Sequence, residues 1–225
     1  MLSLFRNLSQ IGSATFLITM MLSPVYANTF SLSSPDTKLK LEIQTPANAS
    51  KAPYTWSLTF HNRVLMRHCL LNLELAREGD LLADGQVFRT QTRVMKRSVP
   101  VLFGKSRVAE DHFQELRLWV QNPQKRRVLL VFRCYNDALA FRYEVPKQKG
   151  LEALTITDEK TSFGIQENPT AYLQYLENFF TSHEHNVTAL PLNQAKAETL
   201  LDMPATFVRA DGIHFAITEE IGRAH

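Results

Sequence analysis

The stretch FRCYNDALAFRYEVP, Phe132–Pro146, decides how this chain is built. It reads as a strand, a tight bend at Asn136-Asp137, and a returning strand. Val128, Leu130, Phe132 and Cys134 alternate onto one face, while Arg133 and Tyr135 point the other way. On the return, Leu139, Phe141 and Tyr143 share a face opposite Ala140, Arg142 and Glu144. Asn and Asp bond to their own backbone and tolerate left-handed geometry, so the pair suits a bend. Arg133 and Arg142 flank it, and ion pairing with Asp137 or Glu144 is preferred over substrate contact.

The same two-residue period extends outward in both directions. Lys38–Gln44, Tyr54–Phe60, Cys69–Ala76, Glu115–Val120, Val128–Tyr135, Leu139–Val145 and His214–Thr218 all read as strands. Turn residues fall between them, at Ser34-Pro35-Asp36, Asn122-Pro123, Asn168-Pro169 and Asp211-Gly212. Only Pro191–Leu201 has the makings of a helical turn or two. Short strands at this spacing predict an all-β chain, an antiparallel β-sandwich in one domain.

Bulk properties narrow the function classes. The 225 residues carry a net charge of +3 and are 44% hydrophobic, which fits a globular protein and offers nothing to hold nucleic acid. The basic run Gln124–Arg127 reads as a solvated turn rather than a phosphate site. Arg6, the apolar run Ile11–Leu22 and the small-residue site ending at Ala27 make residues 1–27 a cleavable signal peptide. That predicts a periplasmic or secreted protein with no membrane contact after cleavage. An exported protein can oxidise its thiols. Cys69 and Cys134 nevertheless sit in apolar runs, where small buried thiols are the alternative to a bridge.

The segment YNDALAFRYEVP resembles the signature of the N-terminal domain of glycoside hydrolase family 97. Ser34–Ile43, Asp111–Val120, Glu159–Ile165, Pro204–Phe207 and His214–Glu219 resemble other family segments in the same order. The resemblance covers nearly all of residues 28–219. It implies a galactose-mutarotase-like β-supersandwich, here incomplete at its C-terminus, which precedes a catalytic (β/α)8 barrel in complete members. Those members are exported, calcium-dependent, exo-acting α-glucosidases and α-galactosidases whose barrel carries the catalytic carboxylates. The sandwich packs on the barrel and lends residues to the active-site rim. Three positions depart from the family pattern: Ala138 stands where glycine is usual, Cys134 replaces a small apolar residue, and Val187 lies where an aromatic is frequent.

The segment HEHNVTALPL, His183–Leu192, holds the sharpest candidate residue. By spacing alone, His183 and His185 share a face for zinc only if extended, and no third ligand is apparent. By resemblance, Glu184 matches the glutamate that the sandwich lends to the calcium site. A hard cation takes about 6–8 oxygens, so one carboxylate cannot hold it, and no tight calcium binding is expected of this chain by itself. Glu219 is the candidate for sugar contact at the rim or for bracing a loop, with bracing preferred. Trp56 and Trp119 are expected to pack in the core rather than against a sugar.

No pair of carboxylates stands out for the acid and base that glycosidic cleavage requires, so no catalytic residue is assigned. Residues 220–225 read as the translation of a sequencing adapter, and the natural protein is expected to continue beyond Glu219. The sequence therefore reads as a non-catalytic domain. Its expected partners are the missing barrel of the same polypeptide and, through that barrel, an α-linked oligosaccharide. A stand-alone carbohydrate-binding module is the alternative and a mutarotase-type enzyme the weakest one, since His61, His68 and His112 form no acid/base pattern by spacing.

Overall fold

The alternation in Lys38–Gln44 becomes a strand whose Leu39, Leu41 and Ile43 are buried while Lys40 and Glu42 stay wet. The computed structural model describes residues 26–47, 52–102, 104–151 and 153–219. The apolar run Ile11–Leu22, expected to belong to a signal peptide, and residues 220–225 lie outside the described residues. The first sheet is an antiparallel meander of β1 (Tyr26–Ser33), β2 (Leu39–Pro46), β3 (Tyr54–Phe60) and β4 (Arg63–Leu71). Pairing of β1 with β2 is regular from Asn28 to Ser33, with an irregularity between Tyr26 and Asn28. Two short strands follow, β5 (Glu74–Leu75) and β6 (Gly79–Asp80).

The run Cys69–Ala76 is thus not one strand. It breaks at Asn72-Leu73, where the Asn72 N–H donates to the Tyr143 hydroxyl at 3.2 Å.

The second sheet holds β7 (Gln86–Pro100), β8 (Val108–Gln121), β9 (Arg127–Cys134) and β10 (Leu139–Glu144) in the order β10-β9-β8-β7. Its register pairs Leu139 with Cys134 and Phe141 with Phe132, so the opening stretch forms the expected hairpin. Tyr135 N–H closes the bend on Ala138 O at 2.8 Å. The left-handed residues of the described chain do not include Asn136, Asp137 or Ala138, so alanine there carries no φ penalty. Asn136 Oδ1 instead accepts the Asp36 N–H at 3.0 Å, tying the bend to the β1–β2 turn.

Inner faces of these two sheets meet in the main core. Leu41, Ile43, Trp56 and Cys69 face Leu118, Val120, Leu130 and Phe132, all 3% exposed or less. Burying each such leucine stabilises the fold by roughly 2–3 kcal/mol. Trp56 packs edge-on to Phe163 at 5.7 Å and tilted on Phe141 at 6.2 Å, in the core as expected. Both cysteines are free and fully buried, so the structure holds thiols rather than a bridge. Cys69 Sγ accepts the Gly164 N–H at 3.1 Å, and burial pushes the Cys134 thiol up to about 12.

The outer face of the second sheet is covered by side chains rather than by another sheet. Glu115, fully buried, receives Arg93, Arg117 and Arg133. Arg133 Nε donates to Oε2 at 2.8 Å and Arg117 Nε to Oε1 at 2.7 Å. Arg93 donates through Nη2 to Oε2 at 3.0 Å; its Nε lies 2.7 Å from Oε1 without the alignment to donate. Arg133 therefore pairs with Glu115, not with Asp137 or Glu144, because the antiparallel register of β8 and β9 sets Glu115 directly opposite it. Arg142 does pair with Glu144, Nε to Oε1 at 2.8 Å. Burial would raise the Glu115 pKa, but the hydrogen bonds from Arg93, Arg133 and Arg117 outweigh it and hold the carboxyl at about 2. Beneath this layer Leu129 and Val131 are 7% and 2% exposed.

Past the sheet, β7 and β8 run on as a two-stranded arm. No acidic residue lies between Gln86 and Ala109, a segment with six basic ones. Its tip leaves Leu102 95% exposed and Val108 49%. Because both faces of β7 are largely wet, its sequence shows no apolar alternation, and it escaped the sequence reading.

After β11 (Ile156–Asp158), which joins β5 and β6 in a small sheet, Ser162–Gln166 lies along β4. The third sheet follows: β12 (Thr170–Leu176), β13 (Val187–Pro191), β14 (Leu200–Leu201), β15 (Ala205–Val208) and β16 (His214–Ile217). Its order is β13-β12-β15-β16, with β14 also on β12. The expected helical turn is a single 3-10 turn at Leu192–Gln194. Arg209, 3% exposed, ties this sheet to the first. It donates to Val64 O at 2.9 Å and ion-pairs with Glu167 at 2.5 Å and Asp211 at 2.9 Å.

Candidate functional site at one end of the third sheet

Strand polarity brings the two sequence-predicted residues to a common end. The chain leaves β12 at Leu176, loops through Glu184 and returns in β13, with Gln174 opposite Val187. β16 runs antiparallel to β15 and ends at Ile217 opposite Ala205, so Glu219 emerges at that same end. β13 and β16 are the two edges of the sheet, three strand spacings apart, roughly 14 Å. Glu184 and Glu219 are both exposed.

The loop between β12 and β13 is fastened from below. Gln174 Nε2 donates to His183 O at 2.6 Å and to Asp202 Oδ2 at 3.0 Å. His183 Nδ1 lies 2.9 Å from Asp202 Oδ2, and the hydrogen bond from His183 holds the Asp202 carboxyl below its ordinary range. His185 Nε2 is 3.3 Å from Thr181 Oγ1. The two histidines thus serve different partners, and among the described residues no three His, Cys, Asp or Glu side chains form a metal-holding group. Glu184 takes part through its backbone N–H, which donates to Ser182 Oγ at 3.1 Å, leaving its carboxylate directed to no described residue. One free carboxylate on a pinned loop fits a hard cation as a single ligand, with the remaining oxygens coming from elsewhere. For Glu219 the contact is again through the backbone: its carbonyl accepts the Thr218 hydroxyl at 3.4 Å.

Beside these acids lies apolar surface. Phe179 and Phe180 are 79% and 97% exposed, and Tyr172 and Val187 are 41% and 58% exposed. The sequence reading passed over this aromatic pair, although FF within the polar run ENFFTSHEHN was its visible signal. It also missed Asp202, which lies 19 residues from its partner His183.

Other candidates fall elsewhere. Trp119 is not core: it lies half-buried on the outer face of the second sheet, with the Arg89 guanidinium 4.5 Å above its ring. That correction follows from register, since Trp119 shares the face of Glu115 and Arg117 rather than that of Leu118 and Val120. His61 occupies the β3–β4 turn, His68 a bulge in β4, and His112 the opposite sheet, so no two share an element end.

Comparison with known proteins agrees with this architecture. A family model described as "Glycosyl-hydrolase 97 N-terminal" matches residues 32–223. The chain is 22% identical over 199 residues to a retaining alpha-galactosidase of Bacteroides thetaiotaomicron, covering 84% of this chain and 28% of that protein. A glycoside hydrolase family 97 enzyme from Pseudoalteromonas sp. strain K8, solved with panose and with acarbose, superposes with a TM-score of 0.71 at 24% identity. The match covers 82% of this chain and 27% of that one. A beta-arabinopyranosidase superposes equally well, TM-score 0.71 at 18% identity, over 80% of this chain and 29% of the other. In each case the chain spans little more than a quarter of its relative.

Proposed function

This chain belongs to the glycosyl-hydrolase 97 N-terminal family, and on that premise we propose that it is the non-catalytic sandwich of an exported, exo-acting α-glycoside hydrolase. In this reading it packs against a catalytic (β/α)8 barrel carried by the same polypeptide. The observation that supports it most directly is the shared sheet end. Two exposed carboxylates, Glu184 and Glu219, stand at that end, with exposed Phe179 and Phe180 in the same loop as Glu184, making an apolar and acidic surface among the described residues.

Glu184 would supply one oxygen ligand to a calcium ion whose other ligands come from the barrel. Bound there, calcium supplies fixed positive charge at the domain boundary and polarises what it touches. The pinned loop, through Gln174, His183 and Asp202, holds the carboxylate outward so that little ordering remains to be done on docking. Glu219 would border the same boundary and brace the adjoining segment. No acid/base role falls to this domain.

The test is Glu184→Gln in the complete enzyme, read by calcium-dependent thermal stabilisation and by hydrolysis of nitrophenyl α-glucoside and α-galactoside. Removing one charged ligand should raise the calcium concentration for half-maximal stabilisation by about tenfold or more. An unchanged calcium midpoint removes Glu184 from the site.

A further inference from the structure

A second surface, on the outer face of the other sheet, has the makings of a ligand site of its own. Pairing of β7 with β8 slips by one residue between Val87 and Arg89. A bulge of this kind adds a residue to one strand and re-aims its neighbours. Here it presents consecutive side chains, Phe88 and Arg89, to one cleft of about 520 Å³ that Trp119, Arg127, Leu129 and Glu144 also line.

The charges in this cleft are unbalanced. Arg89 lies over Trp119 at 4.5 Å and Arg127 over Phe88 at 5.4 Å. Among the described residues no carboxylate pairs with either guanidinium, whereas Arg93, Arg97, Arg117, Arg133 and Arg142 on the same face all have one. Arg127 Nε is used by Gln121 Oε1 at 3.0 Å, leaving its two terminal nitrogens. A guanidinium held over a ring still has N–H groups to offer, and these match a carboxylate. Phe88, 50% exposed, and Leu129 provide an apolar wall of the kind that takes the C–H face of a pyranose. Glu144, at the rim, is an acceptor for sugar hydroxyls.

We propose that this cleft binds an acidic saccharide, a uronic-acid unit whose carboxylate bridges Arg89 and Arg127. The choice of a sugar rests on the glycosidase reading above. The site lies on a different sheet from Glu184, so the calcium experiment and this one fail independently.

The chain has two tryptophans, and only Trp119 lines this cleft, so fluorescence of the full chain with Trp56→Phe reports on it alone. Trigalacturonate should give a saturable, salt-sensitive change. Maltotriose, its neutral counterpart, and acetate, its bare anion, should give none at the same concentration. Arg89→Gln and Arg127→Gln should each weaken the response by at least about tenfold, because each removes a charge-assisted hydrogen bond. Arg89→Lys and Arg127→Lys keep the charge but lose the planar fork, and should weaken it also. Absence of any response to trigalacturonate overturns the proposal. So does an equal response to maltotriose, which would mean neutral stacking, or to acetate, which would mean diffuse charge. If the Trp56→Phe chain melts early, calorimetric titration of the unaltered chain with the same three ligands decides between the same outcomes.

Discussion

Replacing Glu115 by Gln tests the outer layer of the second sheet, where one buried carboxylate organises three arginines. In the fold this carboxyl titrates at about 2 against an ordinary value of 4.5. By linkage that difference corresponds to about 3 kcal/mol of stability at neutral pH. The covering arginine side chains keep 24–38% of their surface in water, which screens the pairs, so about 2 kcal/mol is the working figure. The sign follows from the lowered value. The contribution is complete above pH 4.5 and is lost as pH falls toward 2. Urea unfolding of the two chains at pH 7 should therefore differ by about 2 kcal/mol, a midpoint shift of about 1 M. The difference should shrink steadily between about pH 4.5 and pH 2, where the natural side chain also becomes neutral. Equal midpoints at pH 7, or a difference that ignores pH, would refute the account of this cluster.

Two further outcomes follow from close packing. A Cβ on Gly164 would sit 2.0 Å from Arg67 O, backbone against backbone, so Gly164→Ala should destabilise the chain by about 3 kcal/mol or more, visible as a lower melting temperature. Burial keeps the Cys134 thiol protonated, with its pKa near 12, so a disulfide reagent at pH 8 should leave it unmodified until denaturant is added.

How much of this was legible in the sequence depends on distance along the chain. The Val128–Glu144 hairpin was readable because its partners are a bend apart and its alternation is complete. The Glu115 cluster was not: Arg93 lies 22 residues before Glu115 and Arg133 18 after it, on strands whose register nothing local announces. Strand β12 went unnamed because Thr170–Leu176 buries alternate residues against a second, smaller core around Phe207, and that core exists only once β15 has folded back. Glu184 shows the opposite case. Its position came from resemblance, and among the described residues the carboxylate makes no bond that geometry alone would have singled out.

The acid-free strand β7 bears on how copies of this protein behave together. A fifteen-residue edge strand offers a row of open backbone groups to any like strand that drifts alongside. Two such edges approaching each other would bring Arg89 and Lys96 of each copy toward the cations of the other. Mutual repulsion then keeps the ribbons apart, so the side chains that make this strand unreadable as a strand are also what spare it from growing into a fibre.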